Sequence, residues 1–290
     1  MKLCRYNDDR LGVVINEMIH DVTDIQTDVR SQARYDMKGD PVIAVIDDIR
    51  GRLEEAAGKV AGIARADVAL LPPVARPGKI MAAPVNYEAH VAEMAAQPHV
   101  TGEADGPKRP PGIQNQGIFL KSNTAVVGES EGVAIRFPDR RNDHEVEFVL
   151  VIGKQGSHVT QADAMDYIAG YTLGLDMTVR GIEDRSFRKS CDGYAPLGPY
   201  FVTKDEIPDP NNVPFTVHLN GKLQQDAHTK DFIFNTQRLV EFATEFYTIY
   251  PGDIMFTGSP PGVSEVKPGD EMHCACSYIG EMKVKVRGAE

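Results

Sequence analysis

Between residues 142 and 153 the polar and apolar positions sort into a strand pattern. The stretch reads Asn142-Asp143-His144-Glu145-Val146-Glu147-Phe148-Val149-Leu150-Val151-Ile152-Gly153. β-Branched and aromatic residues dominate it, and Gly153 ends it. Side chains alternate along a strand, so Glu145 and Glu147 share one face, about 7 Å apart. Val146 and Phe148 point the other way, into a core. Similar patterning predicts short strands at Lys2–Tyr6, Leu11–Ile15 and Met18–Val22, joined by Asn/Asp-rich turns. Val42, Val45, Ile46, Ile49 and Leu53 recur at helical spacing after Asp40-Pro41, which predicts one helix over residues 41–57.

The proline-rich stretch Leu70 to Gly78 is the best linker candidate and divides the chain into residues 1–75 and 76–290. Beyond it, strands are predicted at Lys79–Ala83, Ile118–Lys121 and Ile168–Leu175, and a short helix at Tyr87–Ala96. Thr160 caps a further short helix, and Asn220-Gly221 closes a hairpin. Leu239 to Tyr247 forms an amphipathic helix, stopped by Pro251-Gly252-Asp253. Ile254–Phe256 runs into a Gly/Pro turn, and the tail from Glu271 to Val286 folds as a hairpin. Residues 97–117 are polar, hold several prolines and glycines and show no periodicity, as expected of a lid or an unstructured loop.

Composition is that of an ordinary globular chain: 42% hydrophobic and 25% charged over 290 residues. A formal net charge of -11, with no basic block to offset it, argues against a nucleic-acid partner. No apolar run approaches the ~20 residues of a membrane span, and no apolar segment follows Met1-Lys2 to act as a secretory signal. A cytoplasmic, reduced setting is expected. Cys274 and Cys276 are separated by one residue, which is no zinc spacing, and nothing points to a disulfide framework.

The chemistry concentrates in a few places. Two neighbouring carboxylates that lead into an apolar strand repel each other unless they lie on an exposed acidic face or hold a cation. Oxygen donors suit Mg²⁺, Mn²⁺ or Ca²⁺ better than zinc. Asp176, at the end of the apolar strand 168–175, is either a third oxygen ligand or a turn residue. His90 and Glu93 lie three apart on a predicted helix and can touch. A carboxylate beside an imidazole raises its basicity, which suits a general base, although surface pairs of this kind are common. Arg180, Glu183, Asp184, Arg185, Arg188, Lys189 and Asp192 form a dense charged loop.

These pieces converge. Asn86-Tyr87-x-x-His90, His144-Glu145-Val146-Glu147, Gly170-Tyr171-Thr172 through Asp176, Lys189-Ser190-Cys191-Asp192, Pro196-Leu197-Gly198-Pro199 and Pro251-Gly252-Asp253 through Thr257-Gly258 occur in order over roughly 210 residues. Together they resemble the fumarylacetoacetate hydrolase family. The resemblance implies an α+β, mainly β fold, a mixed β-sandwich roll preceded by a small N-terminal α+β domain, in a homodimer. It implies Mg²⁺ or Mn²⁺ on Glu145, Glu147 and Asp176, Lys189 beside the metal, and His90 with Glu93 as the acid–base pair. Thr257 and Gly258 would contact a small 2-oxo acid, with Arg180 and Glu183 on the substrate side. The implied reaction is hydrolysis of a carbon–carbon bond in an acylpyruvate-type 2,4-dioxo acid. Decarboxylation or keto–enol isomerisation of a 2-oxo dicarboxylate would use the same electron sink, and a non-catalytic metal-binding member is the alternative from another class. The chain departs from the family at Glu183, which stands where members commonly carry a glutamine, and in its longer 97–117 loop.

Overall fold

The computed structural model describes residues 1–34, 38–96 and 112–288. Most of residues 97–117 therefore lies outside the described residues. Among those described, a 12-stranded sheet dominates. Its central strands are Ala195–Thr203, Ile168–Leu175, Val146–Ile152 and Ile254–Phe256, flanked by Ile80–Ala82 and Phe119–Lys121 on one side and by Lys2–Tyr6, Arg10–Ile15 and Met18–Asp21 on the other. The fold is α+β and mostly strand, as expected.

The Val146–Ile152 strand is buried on both faces, which is why its sequence is a near-continuous apolar run. Val149 and Val151 face the same apolar cluster as Ile46, Ile49 and Leu53 of the N-terminal helices. Phe148 and Leu150 face the opposite cluster, with Phe215, Val217, Cys274 and Met282 from a five-stranded second sheet and Leu239 and Ala243 from the Thr236–Phe246 helix. One sheet thus separates two cores, and its middle strands carry chemistry where the apolar pattern stops.

Four local expectations change. The 41–57 helix is two, Pro41–Ala44 and Ile46–Ala57, because Val45 leaves helical geometry at φ -120°, ψ 16°. The strand predicted from residue 142 is also two. Asn142–His144 belongs to a three-stranded sheet and Val146–Ile152 to the large one, so Glu145 sits at the joint. There the Glu145 carbonyl accepts the Asp176 N–H at 2.8 Å, which ties the joint to the end of the neighbouring strand. Thr160 and Asp163 hydrogen-bond each other in a turn that leads to one 3-10 turn, Ala164–Tyr167, in place of an α-helix. Finally, Leu70–Leu71 in the expected linker pairs with Arg5 and Tyr6, and Leu3 pairs with Phe201, so the N-terminal strands continue the large sheet.

Close strand packing makes some glycines obligatory. A Cβ on Gly170 would overlap the Val202 carbonyl oxygen of the paired strand and lie 2.7 Å from the buried Phe201 ring. Gly170→Ala is therefore expected to destabilise the protein by about 2 kcal/mol or more through overpacking. Urea denaturation measures this, and unchanged stability would contradict the packing described.

Candidate metal and acid–base site

Three strand ends build the centre of the site. Glu145 comes from the joint, Glu147 from the start of Val146–Ile152, and Asp176 from the residue after Ile168–Leu175. Glu147 pairs with Gly174 across the two strands, so the ladder itself fixes how near Asp176 comes. Carboxylate oxygens of Glu145, Glu147 and Asp176 lie within 4.8 Å of one another, and all three residues are buried.

Like charges at that separation need compensation. Lys189 Nζ donates to Glu145 Oε2 and to Asp176 Oδ2, both at 2.6 Å. Lys121, fully buried at the end of Phe119–Lys121, donates to Asp176 Oδ1 and, at 2.8 Å, to the Tyr194 carbonyl. Arg180 donates to Glu145 Oε1 at 2.9 Å and to Asp143 Oδ2 at 2.6 Å. Among the described residues no side-chain cation donates to Glu147; its Oε2 accepts the Gly258 N–H at 2.6 Å.

The electrostatics follow from those partners. Burial, and then the Asp176 charge, push the Glu147 carboxyl well above the usual carboxylate range. Burial acts on Glu145 too, but Lys189, Arg180 and His90 outweigh it and hold that carboxyl below its ordinary value. Burial depresses Lys121 despite its contact with Asp176.

His90, on the Glu88–Ala96 helix, is 4% exposed. Its Nδ1 lies 3.1 Å from Glu93 Oε2. Glu93 Oε1 in turn accepts the Gly262 N–H at 3.0 Å, which pins this helix to the Gly/Pro turn. With Nδ1–H directed at Glu93, Nε2 remains an acceptor, and it has no hydrogen-bond partner among the described residues. Asn86 secures the helix start by donating to the Phe234 and Thr257 carbonyls at 2.9 and 2.7 Å.

The structure therefore brings His90, Glu93, Lys189, Glu145, Glu147, Asp176, Arg180 and Gly258 into one connected set. Thr257 is buried beside it and donates to the Phe148 carbonyl at 2.6 Å. Glu183 is placed differently: its carboxylate meets the Arg140 guanidinium at 2.9 and 2.8 Å and touches none of the three clustered acids. Two contributors were missed in the sequence, Lys121 and Asp143. The only signal for Lys121 was a lysine closing an apolar strand; Asp143 drew no notice at the start of the predicted 142–153 strand, yet it is fully buried.

These residues fit a divalent cation. They offer hard oxygen donors, buried together, and among the described residues no side-chain cation donates a hydrogen bond to Glu147.

Residues 79–287 match the fumarylacetoacetate (FAA) hydrolase C-terminal family, and the chain belongs to that family. The chain is 45% identical over 289 residues to a maleylpyruvate hydrolase of Aquipseudomonas alcaligenes, covering 99% of each. It is 35% identical to a mitochondrial oxaloacetate tautomerase of Rattus norvegicus, covering 77% of this chain and 71% of that one. Among solved structures, a maleylpyruvate hydrolase from Sphingobium sp. SYK-6, in complex with manganese(II) and pyruvate, superposes with a TM-score of 0.84 at 34% identity over the whole of both chains.

Glu147→Gln removes the repelling carboxyl and one oxygen donor at once. Calorimetric Mn²⁺ affinity is expected to fall at least about tenfold, a scale already reached by outer-shell changes, while the metal-free melting temperature holds or rises. A fall in metal-free stability with Mn²⁺ affinity intact would refute this account.

Proposed function

We propose that the protein is a metal-dependent hydrolase that cleaves a carbon–carbon bond in an acylpyruvate-type 2,4-dioxo acid of the maleylpyruvate class. The observation that carries this reading is His90, an imidazole backed by Glu93, on a helix tied through Glu93 to the Gly258–Gly262 turn that also donates to Glu147 of the buried carboxylate triad. The full-length similarity to a maleylpyruvate hydrolase supports it, as does the neighbour that holds manganese(II) and pyruvate.

In this proposal Glu145, Glu147 and Asp176 hold Mg²⁺ or Mn²⁺. Such a cation, when bound, polarises the 2-oxo-carboxylate end of the substrate as a Lewis acid. His90 Nε2 takes a proton from water, and Glu93 stabilises the imidazolium that results. The water oxygen bonds to the carbonyl carbon farther from the carboxylate. The bond from that carbon to the neighbouring methylene breaks, and its electron pair passes to the methylene and the 2-oxo group as an enolate. The Lys189 ammonium stabilises that developing charge. His90 returns its proton to the methylene, which becomes the pyruvate methyl group; the second water proton leaves with the new carboxylic acid. One water is consumed and two acids are released.

Arg180, Thr257 and Gly258 line the substrate side in this reading, and Glu183 stands on its rim with Arg140. Residues 1–75 are kept as a small unit ahead of the catalytic domain. A homodimer and a cytoplasmic setting complete the proposal. All four cysteines are free, which suits a reducing compartment, and no helix among the described residues is long and apolar enough to cross a membrane.

Turnover of maleylpyruvate with Mn²⁺ present, followed as pyruvate release, tests the reading. His90→Ala is expected to lower kcat by about 10²–10⁴-fold with Mn²⁺ affinity retained. Full activity in that variant would overturn the mechanism. Enolisation of oxaloacetate, with no pyruvate released from any dioxo acid, would move the assignment to a tautomerase like the rat relative.

A further inference from the structure

Arg188 precedes Lys189 on the short Arg185–Lys189 helix and is only 6% exposed. Its Nε donates to the Glu183 carbonyl at 2.7 Å and its Nη1 to the Val179 carbonyl at 3.2 Å. Both acceptors are neutral. No carboxylate among the described residues pairs with this guanidinium, because the nearby acids are already taken. Glu183 turns its carboxylate to Arg140, and Glu145 is held by Arg180 and Lys189.

A guanidinium presents five N–H donors, and these two bonds use two of them. Burying a cation without a counter-charge is costly. Here burial, together with the like charges of Arg180 and Arg185, pulls Arg188 below its ordinary value. The two carbonyls also fix the plane of the fork, and a fixed planar fork suits bidentate capture of a carboxylate. The site is close at hand, since Arg188 directly precedes Lys189, whose Nζ donates to Glu145 and Asp176 at 2.6 Å.

We propose that Arg188 binds a second substrate carboxylate, at the end remote from the 2-oxo acid, and so selects dicarboxylic over monocarboxylic 2,4-dioxo acids. The inference rests on the hydrolase reading above, in which the 2-oxo-carboxylate end belongs to the metal site. It separates two sets of cations. Lys121, Lys189 and Arg180 balance the protein's own carboxylates; Arg188 answers a charge that the substrate brings. It also accounts for Glu183. With Arg140 neutralising that acid, its backbone carbonyl serves to aim Arg188, and its carboxylate does not repel a substrate anion.

Binding of two uncleavable probes, 2-oxoheptanedioate and 2-oxoheptanoate, to the Mn²⁺-loaded protein tests this by calorimetry. They differ only in the remote carboxylate and lack the second oxo group, so the result does not depend on turnover. The wild-type protein is expected to prefer the dioate by about tenfold to a hundredfold, the scale of one charge-assisted contact. In Arg188→Gln the ratio of the two dissociation constants collapses toward one, and in Arg188→Lys, which keeps the charge but loses the fork, it falls partway. Should Arg188→Gln fail to fold, the lysine variant alone decides. An equal affinity of the wild-type protein for both probes, or a variant ratio equal to the wild-type ratio, would overturn the assignment. Failure of the wild-type protein to hydrolyse any dioxo acid would instead remove the reaction assignment and leave the binding result standing.

Discussion

Three carboxylates buried within 4.8 Å of one another are the constraint on which the rest of this structure depends. Such a cluster is untenable without positive charge, and that charge arrives from separate parts of the chain. Lys121 comes from an outer strand of the large sheet, Lys189 from a short helix, and Arg180 from the loop between them. The cluster is also unevenly balanced: among the described residues Glu147 accepts a hydrogen bond from the Gly258 N–H and from no side-chain cation, and burial raises its carboxyl.

The two-core architecture explains why the acids can be held so rigidly. Val146–Ile152 is anchored on both faces, by the N-terminal helices on one side and the second sheet on the other. Strand ends secured in this way place Glu147 and Asp176 through ladder register, with no flexible loop between anchor and ligand. The acid–base helix is attached differently. Asn86 bonds Phe234, Thr257 and Ile233 at its start, Tyr87 bridges to Phe232, and Glu93 accepts the Gly262 N–H.

Much of this was legible in the sequence, for local reasons. Alternation in a β-strand put Glu145 and Glu147 together; the end of an apolar strand left Asp176 as either a ligand or a turn residue, and only the family resemblance joined it to them. Spacing along a helix joined His90 to Glu93. What stayed hidden depends on pairings distant in the chain. Lys121 and Asp176 are 55 residues apart, and no periodicity links them. Asp143 is buried between two strands with Arg180 and Arg141 paired to its carboxylate. The breaks at Val45 and Glu145 fall within unbroken sequence patterns, since each is set by where the chain changes partner. Glu183 looked like an anion facing the substrate because its neutralising partner, Arg140, lies 43 residues away.

The central claim is that the buried triad holds a divalent cation facing the His90 imidazole. Crystals grown with Mn²⁺ and measured at the manganese absorption edge test it most directly. The account predicts a single strong anomalous peak in contact with the carboxylates of Glu145, Glu147 and Asp176, on the side toward His90. A peak on other residues, or none between these carboxylates at saturating Mn²⁺, would contradict it.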